Sequence, residues 1–207
     1  MNGSAESHAP LDKQKLRRLL RAERRSLASQ RDRGADASAI AAAAGALLDT
    51  LAPPASDPGE HPAYGGGFCV AIYRSLPVEP PTEALAEMLH SRGLTVIVPE
   101  TLPDLDLDWH ELAPDGTEGP ALGLTGIAAA HVILTPGLAV DHAGTRLGQG
   151  GGCYDRALAR RRADAVIVAI VNDREYAVWP LPRDPHDVPV NAVITPAGGL
   201  TSIPGDV

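Results

Sequence analysis

The sequence predicts an α/β fold: a mostly parallel central sheet with helices on both faces, a small antiparallel edge and an N-terminal helical pair. Three observations support this prediction. Short, continuous apolar runs recur along the chain, which is typical of strands covered on both sides. Helical stretches separate these runs, as expected for parallel strands joined by crossovers. Residues 105–112 instead alternate apolar and polar side chains, which favours a half-exposed antiparallel strand.

The 207 residues and the formal charge of −8 limit the classes of function. The length suits a single domain, which we place at residues 11–207 after a mobile tail at residues 1–10. The acidic balance argues against a general nucleic-acid-binding protein. The longest apolar runs, residues 39–48 and 165–171, are far shorter than the roughly 20 residues that span a bilayer. Two scattered cysteines fit the reducing cytoplasm.

Two helices are predicted near the N-terminus, at residues 11–30 and 36–51. The first carries one stripe that should face the core. Its members are Leu16, Leu19, Leu20, Glu23 and Leu27. The other faces of this helix are basic, and we interpret most of their side chains as a solvated surface. They are Lys13, Lys15, Arg17, Arg18, Arg21, Arg24 and Arg25.

Strands and helices alternate through the rest of the chain. Predicted strands cover residues 68–73, 94–98, 105–112, 132–134, 165–171 and 190–194, and predicted helices cover residues 82–92 and 153–162. Thr82 is expected to cap the first of these helices with its side chain. Residues 52–67 and 113–126 are predicted loops. Ligands of such sheets bind beyond the carboxyl ends of strands, so the loops after residues 73 and 134 should border one cleft.

A glycine-rich segment follows the strand that ends near residue 134. Its glycines are Gly144, Gly148, Gly150, Gly151 and Gly152. Glycine permits positive φ angles and a close approach of the backbone to a ligand. Consecutive amides before a helix form an anion site, most often for phosphate, and Arg146 adds a guanidinium suited to phosphate oxygens. The segment is neither a Walker A loop, which ends in Lys-Ser/Thr, nor a dinucleotide fingerprint, since Cys153 replaces the third glycine.

Residues 136–156 resemble the signature of the 5-formyltetrahydrofolate cyclo-ligase family, also called 5,10-methenyltetrahydrofolate synthetases. The segment reads Pro-Gly-Leu-Ala-Val-Asp-His-Ala-Gly-Thr-Arg-Leu-Gly-Gln-Gly-Gly-Gly-Cys-Tyr-Asp-Arg. It departs from the family pattern at Val140, usually an aromatic residue, and at Cys153, usually the first of two tyrosines. The resemblance implies cyclisation of 5-formyltetrahydrofolate to 5,10-methenyltetrahydrofolate. The implied reaction uses ATP and magnesium, passes through a phosphorylated formyl intermediate and releases ADP and phosphate.

The resemblance also implies a nucleotide site. Lys13-Gln-Lys-Leu-Arg17 matches an N-terminal Lys-x-x-x-Arg pattern of the family, and Arg146 and Lys13 would act catalytically. The implied ATP-binding residues are Lys13, Arg17, Arg146, Leu147, Gly148, Gln149, Gly150, Gly151, Gly152, Cys153 and Tyr154. Asp155 and Asp187 would hold magnesium, which prefers one or two carboxylates plus water. From the residues alone, Asp155 could equally cap the helix that begins beside it.

Glu79, Arg74 and Trp109 are the candidates for binding the folate. Glu79-Pro-Pro-Thr82 resembles a Glu-x-x-Thr of the family whose glutamate holds the pterin. By itself, Glu79 would read as an ordinary loop carboxylate. Arg74 falls where relatives line the substrate pocket. Trp109 is either a stacking surface for the pterin or a core aromatic.

Two other functions remain open at this point. A sugar-phosphate isomerase-like enzyme also binds phosphate in a glycine-rich loop, but it needs a catalytic carboxylate or lysine there, and no lysine follows Lys15. A non-catalytic nucleotide-binding protein is the other alternative, although Arg146 and Asp155 are both present. The leading interpretation predicts 5-formyltetrahydrofolate and ATP as partners, no nucleic acid, no membrane, and a monomer or weak homodimer.

Overall fold

The computed structural model describes residues 12–51, 67–177 and 179–204. The helices are α1 (Lys13–Ala28), α2 (Arg33–Leu51), α3 (Glu83–Ser91) and α4 (Cys153–Leu158), with 3-10 turns at Gly126–Ala129 and Asp173–Glu175. The strands are β1 (Cys69–Ala71), β2 (Thr95–Thr101), β3 (Leu107–Leu112), β4 (Glu118–Ala121), β5 (Val132–Pro136), β6 (Ala139–Asp141), β7 (Arg146–Leu147), β8 (Val166–Ile170), β9 (Tyr176–Ala177), β10 (Ala192–Thr195) and β11 (Gly199–Ser202). The predicted tail and most of the predicted loop at residues 52–67 lie outside these ranges, so both stay predictions.

An eight-stranded sheet forms the centre, in the order β11-β10-β8-β5-β1-β2-β3-β4. The five strands from β10 to β2 run parallel, and β11 at one edge and β3 and β4 at the other are antiparallel. The predicted α/β class, with its mostly parallel sheet and antiparallel strand at residues 105–112, is confirmed. Strand β2 pairs with one side of β1, and β5 pairs with the other side of β1. This reversal opens a crevice at the carboxyl ends of the strands.

Alternate residues of the parallel strands pack on opposite faces of the sheet. In β1, Val70 faces the core under α2 and α3, whereas Cys69 and Ala71 face the core under α4 and the 3-10 turn at Gly126–Ala129. Both faces are therefore covered, which explains why these strands appear in the sequence as continuous apolar runs. Among the described helices, none is long and apolar enough to cross a membrane.

The two predicted N-terminal helices are present, but they cover different sheets. Helix α2 packs on α3 and on the β10–β11 edge. Helix α1 instead packs on a separate three-stranded sheet, β7-β6-β9, through a small apolar cluster. That cluster consists of Leu16, Leu20, Leu138, Ala139, Leu147 and Leu181. Helix α1 thereby lies beside the segment that carries the glycines.

The predicted buried stripe of α1 needs correction. Leu19 and Glu23 are exposed, and Arg24, which we placed on the solvated face, is buried together with Leu16 and Leu20. The spacing of four residues aligns these three side chains along one face of the helix. An arginine therefore occupies a core position. Partners that are distant in the sequence compensate its positive charge.

Three other local predictions are also wrong. Residues 113–126 are not all loop, since they include β4. The helix predicted at residues 153–162 ends at Leu158. Beyond it, the amides of Arg160 and Arg161 bond to carbonyls three residues back, which tightens the last turn. Thr82 precedes α3, but its hydroxyl donates to the carbonyl of Tyr73 at 2.8 Å instead of capping the helix.

Asp106 and Arg160 join the start of β3 to the residues that follow α4. The guanidinium of Arg160 donates to the carboxylate, at 2.9 Å for the Nη1–Oδ1 bond, and lowers the pKa of Asp106 to about 2. A carboxyl group whose folded-state pKa is depressed contributes stability above its unfolded pKa and loses it as pH falls. We therefore expect Asp106→Asn to reduce the free energy of unfolding by about 1 kcal/mol at pH 7.

This deficit should shrink as the pH falls from about 4 to about 2, since the wild-type carboxylate becomes protonated over that range. Urea denaturation of both proteins at several pH values measures it. A deficit that stays constant over that range would contradict a contribution from the charge of Asp106.

Candidate functional site

A cavity of about 550 Å³ opens at the carboxyl ends of β1, β2 and β5. Its walls come from the segment after β1, the turn after β5, the glycine segment, the N-terminal turns of α1 and the loop that precedes β10. Most of the residues that the sequence singled out line it: Lys13, Arg17, Arg74, Glu79, Arg146, Gly148, Gln149, Gly150, Gly151, Gly152, Cys153, Tyr154, Asp155 and Asp187. The fold thus brings together segments more than 170 residues apart in sequence.

Arginine side chains hold the carbonyl groups of the glycine segment. Arg17 Nε donates to the carbonyl of Gly148 at 3.0 Å, and an Arg21 guanidinium nitrogen donates to that of Gln149. Arg156 Nη2 donates to the carbonyl of Gly151 at 3.1 Å. In a planar trans peptide the N–H points away from the carbonyl. The amides that follow these three carbonyls therefore point away from the arginines.

The amides of the glycine segment are free to bind a ligand. Within the described residues, no backbone N–H from Gly148 to Gly152 donates a hydrogen bond to a protein acceptor. Gly150 and Gly152 have φ angles of 110° and 69°, which disfavour any residue with a side chain. A run of unpaired amides beside an open cavity is the arrangement that binds anionic oxygens.

Arg146 lies at the inner end of this run, on β7. Its side chain is only 3% exposed, and its Nη2 donates to Asp155 Oδ1 at 2.6 Å. The guanidinium also lies 5.7 Å from the centre of the Tyr154 ring. Burial raises the pKa of the Tyr154 hydroxyl above its ordinary value. Packing and the ion pair together fix the direction in which Arg146 presents its charge to the cavity.

Lys13, on α1, bridges two carboxylates of the loop that precedes β10. Its Nζ lies 2.7 Å from Asp184 Oδ2 and 2.7 Å from Asp187 Oδ2. Partial burial acts to lower the pKa of Lys13, but these two hydrogen bonds outweigh it and raise the pKa. The pKa of Asp187 is lowered: burial opposes this shift, and the amide of Asp184 and the ammonium of Lys13 overcome it.

The predicted metal ligands do not form one cluster in this structure. Asp187 groups with Asp184 and His186, whose potential ligand atoms all lie within 4.8 Å of one another, whereas Asp155 pairs with Arg146. Each predicted metal carboxylate therefore faces a predicted phosphate-binding cation. Both kinds of group line the same cavity.

Glu79 is buried in the loop after β1 and is 5% exposed. Its Oε2 accepts a hydrogen bond from the amide of Leu76 at 3.0 Å, and Arg33 Nη1 donates to its backbone carbonyl at 2.8 Å. Tyr73 ties this loop to β1, because its hydroxyl donates to the carbonyl of Pro80 at 2.7 Å. Burial raises the pKa of Tyr73 well above its ordinary value, so the hydroxyl stays a donor.

Two predicted site residues lie away from the cavity. Trp109 is fully buried and packs in the core under α4, so the stacking interpretation is wrong and Trp109 is a core aromatic. The Leu147 side chain packs in the cluster beneath α1, and its carbonyl accepts from the amide of Leu138 at 2.7 Å. Arg74 does line the cavity, at its rim, where it pairs with Glu118.

The sequence did not single out Asp184, His186 or Tyr73, which also line the cavity. Asp184 carried a detectable signal, since it lies three residues before Asp187 in a loop already assigned a metal ligand. Tyr73 ends an apolar run and appears there as a core residue, which its 3% exposure bears out.

Comparison with known proteins identifies the family. The sequence profile of the 5-formyltetrahydrofolate cyclo-ligase family matches residues 10–196. The chain belongs to this family. A 5-formyltetrahydrofolate cyclo-ligase of Mycolicibacterium smegmatis is 35% identical over 152 residues, which cover 66% of this chain and 78% of that protein. One of Escherichia coli K12 is 32% identical over 142 residues, covering 62% and 78%.

Solved structures share the fold. A 5,10-methenyltetrahydrofolate synthetase from Aquifex aeolicus superimposes with a TM-score of 0.66 at 21% identity, covering 94% of each chain. One from Mycoplasma pneumoniae gives a TM-score of 0.64 at 19% identity, covering 88% of this chain and 98% of that one. Membership of the cyclo-ligase family makes the protein an enzyme of the ligase class with a role in folate metabolism.

Proposed function

We propose that the protein closes 5-formyltetrahydrofolate to 5,10-methenyltetrahydrofolate at the expense of ATP, with magnesium. The observation that carries this proposal is a single cavity that contains both the free amides of residues 148–152 and the buried carboxylate of Glu79. The first group suits a polyphosphate, and the second suits the N–H donors of a pterin ring. The family supplies the identity of the substrates.

The nucleotide end of the cavity is assigned to Arg146, Lys13, Arg17 and the amides of the glycine segment. Arg146 offers a planar fork of donors to phosphate oxygens, and Lys13 offers a point charge. Arg17 already touches the loop that would hold the phosphates. These groups position the γ-phosphate and stabilise its charge, which is nearly all that phosphoryl transfer asks of a protein.

Magnesium fits the donors at the same end. Asp155 and Asp187 provide carboxylate oxygens, which this ion prefers. The ammonium of Lys13 lies 2.7 Å from both Asp184 and Asp187, which supports this assignment because these carboxylates already face a positive charge. Held by these carboxylates, magnesium would supply positive charge that neutralises the phosphates.

The proposed chemistry has two steps. The formyl oxygen attacks the γ-phosphorus, so that a new P–O bond forms and the bond to ADP breaks. The N10 nitrogen then attacks the formyl carbon and loses its proton to solvent, and phosphate departs with the C–O bond electrons as the ring closes. Glu79 holds the pterin, and Arg146 and Lys13 hold the phosphoryl group, so that the formyl oxygen and the γ-phosphorus meet.

One assay tests the proposal. Purified protein is incubated with 5-formyltetrahydrofolate and Mg-ATP and no other enzyme, and the near-ultraviolet absorbance of the methenyl product is followed. We expect product in equal amount to ADP, and none when ATP is omitted or magnesium is removed with EDTA. Failure to form product in the complete mixture would contradict the proposed function, and product formation without ATP would contradict its phosphoryl-transfer step.

We also propose that the protein works in the cytoplasm, as a monomer or weak homodimer. Cys69 and Cys153 are free thiols, as expected in a reducing compartment.

A further inference from the structure

Arg24 is a buried arginine with no part in the proposed chemistry. It is 4% exposed on a helix whose other basic residues face solvent or the cavity. A charge at such a position is tolerated only where opposite charges and hydrogen-bond acceptors compensate its lost hydration. The contacts of Arg24 therefore indicate what this position does.

The guanidinium of Arg24 joins three segments. Its Nε and Nη2 donate to the two carboxylate oxygens of Glu175, at 2.6 and 2.7 Å. Nη2 also donates to the carbonyl of Gly137, in the turn after β5. Its Nη1 lies 3.8 Å from Glu79 Oε1 and is buried without a hydrogen-bond partner among the described residues.

Arg24 acts on the cavity from behind its wall. Glu79 and Gly137 line the 550 Å³ cavity, whereas Arg24 and Glu175 line a separate one of about 280 Å³. Arg24 therefore does not touch a ligand of the larger cavity. It places a positive charge behind Glu79 Oε1, an oxygen that no donor in the described residues hydrogen-bonds.

We infer that Arg24 is a positioning residue for folate, which sets the direction and charge balance of the Glu79 carboxylate. The inference rests on the proposed function, since it assigns the pterin to Glu79. The bidentate bond to Glu175 fixes the guanidinium plane, and that plane directs Nη1 toward Glu79. Glu79 Oε1 is thereby kept free and oriented for the N–H donors of the pterin.

Dissociation constants of the full-length protein test the inference. They are measured for 5-formyltetrahydrofolate and, separately, for a non-hydrolysable ATP analogue with magnesium. We expect Arg24→Gln to weaken folate binding by about 20-fold, because Glu79 loses the charge that orients it. Binding of the ATP analogue should change by less than about three-fold, since the nucleotide groups are elsewhere. Arg24→Lys, which keeps the charge but not the fork, should fall in between.

A double-mutant cycle separates positioning from simple destabilisation. In the Glu79→Gln background, Arg24→Gln should cost less than about three-fold in folate affinity, because the carboxylate it orients is gone. Arg25→Gln, the exposed neighbour on the same helix, is the matched control and should change neither affinity. All constants are measured at a temperature below the unfolding midpoint of each variant. If Arg24→Gln does not fold, Arg24→Lys replaces it in the same comparisons.

Three results would overturn the inference. Equal losses of folate and nucleotide affinity would assign Arg24 to the packing of α1 alone. If adding Arg24→Gln to Glu79→Gln weakened folate binding as much as Arg24→Gln does alone, Arg24 would not act through Glu79. Wild-type protein that does not bind 5-formyltetrahydrofolate would overturn the proposed function, and this inference with it.

Discussion

Replacing Arg146 with alanine is expected to lower kcat/KM for Mg-ATP by about a thousand-fold. Among the described residues assigned to phosphate binding, Arg146 is the one cation whose side chain is almost fully buried. It lies at the end of the run of free amides. Its charge would therefore act on the γ-phosphate with little screening by water. The replacement also leaves Asp155 without its partner, so stability should fall by about 3 kcal/mol. Initial rates at varied Mg-ATP and urea denaturation measure the two losses.

Arg146→Lys separates the two effects. Lysine keeps a positive charge near Asp155 but cannot offer the planar fork that matches phosphate oxygens. We therefore expect it to recover most of the lost stability while kcat/KM for Mg-ATP stays at least about a hundred-fold below wild type. If activity and stability recovered in parallel, Arg146 would be a structural residue and not a phosphate ligand.

Glu79→Gln is expected to raise KM for 5-formyltetrahydrofolate by about a hundred-fold. The substitution keeps the shape of the side chain but removes the charge, and it turns one acceptor oxygen into a donor group that would oppose the N–H donors of the pterin. KM for Mg-ATP should change by less than about three-fold, because Arg146, Lys13 and the glycine amides are retained. Steady-state rates with each substrate varied in turn measure both constants.

Glu83→Gln provides the matched control for Glu79→Gln. Glu83 lies on the same loop-to-helix segment, pairs with Arg33 and is largely exposed, but it does not line the cavity. An exposed pair of this kind contributes little to stability. A rise in folate KM of similar size in both variants would contradict a specific role for Glu79.

The parallel core of the sheet could be predicted because burial on both faces leaves a local signal. Strand β8 is a continuous apolar run of five residues and β5 begins with a run of three, and that pattern requires no knowledge of their partners. The three-stranded sheet of β6, β7 and β9 was missed because strands of two or three residues are too short to show a period.

The positions of charged residues were harder to predict than those of apolar ones. Arg24 reads as a surface residue in the sequence, since its partner Glu175 lies 151 residues away. The pairing of Lys13 with Asp184 spans 171 residues and was equally hidden. Trp109 was ambiguous for a different reason, because an aromatic residue suits a core and a stacking surface equally. Only its complete burial in the structure shows that it belongs to the core.

The glycine segment was recognisable because a high glycine content itself indicates unusual backbone conformations. Positive φ angles at Gly150 and Gly152 are what such a run permits. The sequence could not show which of its backbone groups stay unpaired. That depends on Arg17, Arg21 and Arg156, which bind the carbonyls and leave the amides free.

A nuclear magnetic resonance titration of protein labelled with ¹⁵N at glycine only tests whether the free amides bind the nucleotide. The chain has 21 glycines, so the spectrum is small enough to assign. On addition of Mg-ATP, we predict that the amides of Gly148, Gly150, Gly151 and Gly152 shift together and saturate with one dissociation constant. Gly93 and Gly116, in turns outside the cavity, should not move. Saturable binding of Mg-ATP that leaves these four glycine amides unshifted would contradict the proposed nucleotide site.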